Sequence, residues 1–347
     1  MQRRGFIAGL SGLVFLPGCA ALAPIDDGDA AYFDARSGRP IGVRDLARRL
    51  ARAPIVLFGE VHDNLAHHRI RGRLLLDWVG REPSRAAVVV FEQLDREHNE
   101  ALRLAQRRSP FCVAKDRGCS GSAGGIPSRI ERLLAAARFD HRGWDWPAHR
   151  PVFEAADASG ALWIAANLSR ASAQQISRDP SAPVDVALQA VVESARWSEQ
   201  AQASLAAALM DGHCNLLSAT AVERLARVQR LRDAALALPL LDAQERRSML
   251  IAGNGHVRRD HGVPRYLGAY EYEAVVVGFE EAAPSPSASA DDSLAGRLGA
   301  ARAGELAQAY DLLCLTTRER QDDPCAGLRA APGAVLNPAA PTQTPLR

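Results

Sequence analysis

Residues 55–79 read IVLFGEVHDNLAHHRIRGRLLLDWV. Ile55 to Phe58 is apolar without a break, as in a strand buried on both faces. Gly59 to Asn64 is a polar turn, and Leu65 to Val79 then carries Ile70, Leu74, Leu75 and Trp78 at helical intervals. The unit recurs. Ala87 to Phe91, Leu162 to Ala166, Met249 to Ala252 and Ala274 to Phe279 are further short apolar runs with helical patterns between them. Tyr310 to Thr316 reads as one more strand, paired beside Ala274 to Phe279. The alternation predicts an α/β fold with a mostly parallel central sheet flanked by helices. The Ala-rich stretch 168–241 predicts a helical insertion or subdomain, with a capping box at Thr220 to Glu223.

The rest of the 347-residue chain is consistent with a globular body: 47% hydrophobic and 24% charged residues leave enough apolar side chains for a sizeable core. Lys plus Arg (42) nearly balances Asp plus Glu (40), so no concentrated basic surface points to nucleic acid. Lys115 is the only lysine and sits outside any phosphate-loop pattern, which sets aside Schiff-base and P-loop chemistry.

Residues 1–18 read as an export signal. Arg3-Arg4 precedes an apolar run from Gly5 to Leu16, too short to span a bilayer, and Leu16-Pro17-Gly18-Cys19 resembles a lipobox. Cys19 is then the expected lipidation site, residues 19–30 a tether, and the bacterial cell envelope, outside the cytoplasm, the expected location. The α/β domain is expected over 31–328, with a flexible loop at 282–292 and a disordered tail at 329–347. An oxidising compartment permits disulfides. Cys112 with Cys119 and Cys314 with Cys325 are near enough in sequence for local loops, and the odd count after Cys19 leaves one thiol over.

Polar residues gather after the expected strand ends: Glu60, His62, Asp63 and Asn64; Glu92 and Gln93; Asn167; Gly253, Asn254, Gly255 and His256. Parallel sheets bind ligands outside those ends, because loops there converge over a rigid base. Glu60 and His62, two apart in an extended segment, face one side. Asp63 or Asn64 can cap the following helix and aim its free N–H groups at an anionic ligand. Of His67 and His68, about 100° apart on a helix, one is expected to share His62's direction and the other to face solvent. Gln229 and Asp233 share a helix face as helper residues. His213-Cys214 reads as a loop. Glu60 with His62 alone equally describes a buried pair that pins the turn.

FGEVHDNLAHHR (58–69), VVFEQLD (89–95), WIAANLSR (163–170), MLIAGNGHVRRDHGVPRYL (249–267) and DPCA (323–326) together resemble the ChaN-like haem-binding lipoproteins, over roughly 31–327. That family is grouped with Tiki, TraB and the erythromycin esterases, which share a Gly-Glu-x-His and a later Gly-x-x-His motif; Gly59 to His62 and Gly253 to His256 match them here. The resemblance implies a periplasm-facing lipoprotein of haem or iron uptake, with haem at a homodimer interface and tyrosine on iron. Candidate haem contacts are His62, His68, His149, Arg170, Tyr266 and His256, with Arg69 and Arg258 also near enough in sequence to meet propionates. The alternative is a metal-dependent hydrolase of Tiki type, holding Zn, Mn or Co on Glu60, His62, Glu92 and His256. A metal-free, esterase-like variant uses His62 as general base and Glu60 to orient it.

Overall fold

In a computed structural model the described residues are 30–109, 127–243, 246–282, 293–319, 323, 325 and 326. The export signal, Cys19, Cys112, Cys119, Lys115, the loop beyond Ala282 and the tail lie outside them.

Eight strands form one sheet among the described residues: β1 (Ala31–Asp34), β2 (Pro40–Ile41), β3 (Ile55–Phe58), β4 (Ala87–Asp95), β5 (Leu162–Asn167), β6 (Arg247–Ile251), β7 (Val275–Ala282) and β8 (Leu312–Thr317). Their order is β2-β1-β8-β7-β3-β6-β4-β5. From β8 to β5 every pairing is parallel, and β1 and β2 add an antiparallel edge. Side chains alternate across the sheet. Val56, Phe58, Val89, Phe91, Met249 and Ile251 enter one core; Ile55, Leu57, Val88, Val90 and Leu250 enter the other. The unbroken apolar runs are therefore strands covered on both faces.

On the first face the helix Leu65–Gly80 crosses the helix Trp146–Ala158. On the second, four helices fill 168–241: Arg170–Arg178, Val186–Ser194, Glu199–Gly212 and Ala219–Asp242. The last lays Val228, Leu231, Ala234, Leu236 and Leu240 into the sheet's own core. The expected insertion is thus mainly a layer of the fold, with a small satellite core around Leu205, Leu209, Leu217 and Ala221.

Three expectations are corrected. The long helix is capped by Ser218, whose hydroxyl accepts from Ala221 N–H, so Thr220 lies inside it rather than at its cap. β4 runs on to Asp95, which makes Glu92 and Gln93 strand residues instead of loop residues. Cys325 bonds Cys214, 111 positions away, while Cys314 is buried in β8. Pairing followed spatial approach, not nearness in sequence. Among the described residues no helix is long and apolar enough to cross a membrane.

Candidate functional site

β3, β4 and β6 are adjacent and parallel, so their C-terminal ends bring Glu60, Glu92 and Gly253 together. Glu60 is fully buried, and its Oε1 lies 2.6 Å from His62 Nδ1, 3.3 Å from Gln93 Nε2 and 3.5 Å from His149 Nε2. Its other oxygen meets the Arg71 guanidinium and, at 3.1 Å, His68 Nδ1. Glu92 accepts from Gly253 N–H at 2.7 Å and lies 3.2 Å from His256 Nε2. The two halves meet at Gly253. A Cβ there would sit 2.8 Å from His62 Cε1, 2.9 Å from its Nε2 and 3.6 Å from Glu92 Oε2, so the backbone approach needs glycine. Gly59 serves likewise: a Cβ would collide with the Asn254 amide, which pairs with both N–H and C=O of Phe279 and ties the turn to β7.

The residues expected at the shared rim are therefore neighbours, but the rim is nearly closed. Glu60, Glu92 and His256 are shut away, and His62, at 8% exposure, lies nearest to solvent. The Trp144 indole, half-buried, stands edge-on to the His62 ring at 5.1 Å.

Electrostatics assigns each imidazole a state. His256 is held by Asp233 (Nδ1 to Oδ1, 2.5 Å) as well as Glu92, and the Gln229 amide borders the same nitrogen. Burial opposes its charge, yet the two carboxylates raise its pKa to about 10. The same charge holds the Glu92 carboxyl below its usual range in spite of burial; Asp233, where burial dominates, is raised. Both ring nitrogens of His256 are thus engaged by carboxylates, which favours its imidazolium form. His67 and His68 run the other way. Both are fully buried, and burial lowers them to about 3 and about 4. Neither faces solvent, contrary to expectation, because the helix Trp146–Ala158 and β8 cover the start of their helix. His67 Nδ1 accepts from Val61 N–H, and its Nε2 donates to Thr316. His68 Nε2 donates to the His62 carbonyl, and its Nδ1 accepts from Arg71. Both rings are fully engaged.

Several anticipated residues have other work. Asn64 does cap the helix, but the next N–H groups, of Leu65 and Ala66, donate to the Glu319 carboxylate and are not open to a ligand's anion. Tyr266 is a core residue whose hydroxyl donates to the Arg230 carbonyl, so the structure does not offer it to iron. Arg258 is committed to Asp260 and Glu305. Arg69 and Arg170 are exposed. Asn167 donates to the Glu92 carbonyl, and His213 bonds Leu209 in a loop end beside the disulfide. Two residues escaped the sequence reading. Arg71, three after His68, had no distinguishing signal on a helix rich in arginine; Trp144 stands before His149 in WDWPAHRP, with no period linking it to His62.

The donor set does not fit a divalent cation. Glu60, His68 and His149 offer atoms within 4.8 Å of one another, but Arg71 already supplies the positive charge there. In the expected quartet Glu60, His62, Glu92 and His256, the last has both ring nitrogens on carboxylates, one of them Asp233 from outside the quartet. A haem iron is matched at one point. The Glu60 carboxylate fixes the proton of His62 on Nδ1, which makes Nε2 its basic nitrogen.

The fold is similar to that of a ChaN of Campylobacter jejuni described as binding haem cofacially: TM-score 0.61 and 17% identity over 82% of this chain and 96% of that one. An erythromycin esterase mutant in its open conformation gives a TM-score of 0.42 at 11% identity, covering 81% and 95%, and a type III effector gives 0.36 at 11%, covering 78% and 91%. No curated protein matches the sequence. Residues 46–267 match the profile described as haem-binding uptake, Tiki superfamily, ChaN, and the chain belongs to that family.

Proposed function

We propose that this protein binds haem non-covalently at the C-terminal rim of its sheet, with His62 Nε2 toward the iron and Trp144 against the porphyrin. Family membership supports the ligand class. The observation that carries the assignment within the chain is the 2.6 Å contact that orients His62 from Glu60, at the strand-end imidazole nearest to solvent. Haem would supply a ferric centre able to take a neutral imidazole. His149 packs against the His68 ring at 4.2 Å and the Trp144 ring at 5.3 Å, with Nδ1 on the Asp145 carbonyl and Nε2 3.5 Å from Glu60 Oε1. Titrating hemin into the full-length protein should give a saturable Soret shift that H62A weakens on the order of tenfold. Tyr266→Phe should leave the shift unchanged. An unchanged spectrum at micromolar protein overturns the proposal.

The same reading carries a cellular setting: an uptake lipoprotein anchored through Cys19, facing the periplasm, and paired as a homodimer when haem is bound. Membrane fractionation of Cys19→Ala and light scattering with and without hemin test the two parts separately. One observation favours a second reading. A carboxylate-oriented imidazole is also a general base, and Glu60–His62 fits metal-free ester hydrolysis. Chelator-resistant hydrolysis of p-nitrophenyl acetate, lost in Glu60→Gln and H62A alike, would establish it.

A further inference from the structure

The opposite end of the sheet holds a second site. Arg52 ends the helix Val43–Arg52, Pro54 precedes β3, Arg81 to Arg85 link the helix Leu65–Gly80 to β4, and Arg247 opens β6. Because β3, β4 and β6 are parallel, these segments meet at the N-terminal edge, away from Glu60 and His62. They border an open pocket of about 520 Å³ lined by five arginines, Arg48, Arg52, Arg81, Arg85 and Arg247, and by Glu82.

Arginines suit this edge for a plain reason, since the last turns of both helices favour positive charge. That reason does not account for Arg247. It is 1% exposed, its guanidinium stacks 4.0 Å over the Trp78 ring, and its Nη1 donates to the Trp78 carbonyl at 2.6 Å. Its Nη2 is buried without a hydrogen-bond partner, and the carboxylate nearest it, Glu82, is 3.8 Å from Nε. Glu82 is shared with Arg85 at 3.8 Å; Arg48 pairs with Asp45 and Arg81 with Asp77. Among the described residues the pocket lining thus carries five arginines and one carboxylate, Glu82. A buried donor left unpaired costs free energy that a ligand oxygen would recover, and forked guanidinium groups match tetrahedral oxyanions.

We propose that this pocket binds a dianionic phosphate monoester, its phosphate held by Arg247, Arg52 and Arg85, and the remaining volume taken by the organic part of the ester. The site is independent of haem binding. Such a group reaches it either free in solution or as the headgroup of a phospholipid.

The test titrates inorganic phosphate into the full-length protein at pH 8 and low salt by calorimetry, and measures co-sedimentation with phosphatidylcholine vesicles with and without phosphatidic acid. Saturable phosphate binding is expected, weakened on the order of tenfold or more in the double variant R52Q/R85Q. Those two side chains are exposed, so that variant keeps its fold whatever R247Q does. Binding of phosphate without vesicle enrichment supports a soluble ester; enrichment on phosphatidic acid that R52Q/R85Q abolishes supports a headgroup. Phosphate without saturable heat at about 1 mM together with no phosphatidic acid preference overturns the proposal, as does binding that R52Q/R85Q leaves unchanged.

Discussion

Replacing His256 by glutamine removes the imidazolium that contacts two buried carboxylates. Asp233 is fully buried and 2.5 Å from the ring, and Glu92 is 4% exposed and 3.2 Å away. The rise from 6.5 to about 10 corresponds to at most roughly 5 kcal/mol of preference for the charged imidazole. Breaking a buried ion pair by deleting one member costs about 3–5 kcal/mol, since the other charge stays in the interior. H256Q is therefore expected to lose about 3–5 kcal/mol of unfolding free energy in urea at pH 7. Adding Asp233→Asn and Glu92→Gln should restore part of the loss by neutralising the stranded carboxylates. The sign with pH is fixed. A folded pKa above the unfolded one gives stability that is whole below pH 6.5 and disappears as pH climbs through about 10. Wild-type protein should weaken over that window, and H256Q should lack that part of the decline. A loss below about 1 kcal/mol, with parallel alkaline slopes in the two proteins, would refute the argument.

On the acid side, His67 and His68 are neutral in the fold at about 3 and about 4 against 6.5 unfolded. Their contribution is present above pH 6.5 and disappears as pH falls through those values, so urea midpoints should drop between pH 6 and pH 4; a flat profile there contradicts their burial as neutral rings. Gly253→Ala places a methyl 2.8 Å from His62 Cε1. It should cost about 1–3 kcal/mol and weaken hemin binding as much as H62A does; unaltered binding would show that His62 can shift freely. The Cys214–Cys325 bridge spans 111 positions, so reduction should lower stability by about 2–5 kcal/mol, matched by Cys214→Ser without reductant. Equal midpoints with and without reductant would count against it.

The parts of the fold legible from the residues were those with strong local patterns. Ile55 to Phe58 and Ala87 to Phe91 announce themselves because strands covered on both faces are apolar at every position. β1 and β2 do not. Four and two residues long, they pair antiparallel at an edge and depend on β8 for their place. Ser218 and Thr220 are both plausible caps by composition, and the backbone settled it by bonding Ala221 N–H to Ser218. Gln229 and Asp233, spaced one helical turn apart, were recognisable as partners; what they partner was not.

The amino-acid order alone marked the buried strands and set Glu60, His62, Glu92 and His256 near the ends of three of them, since periodicity and turn chemistry are short-range properties. Their condition was decided only on folding. His256 is charged because a helix from elsewhere in the chain delivers Asp233, while His67 and His68 are neutral because packing removes water from both sides of one helix. Protonation depends on which charges lie within a few ångströms and how much solvent remains, and neither quantity is defined until distant segments have met.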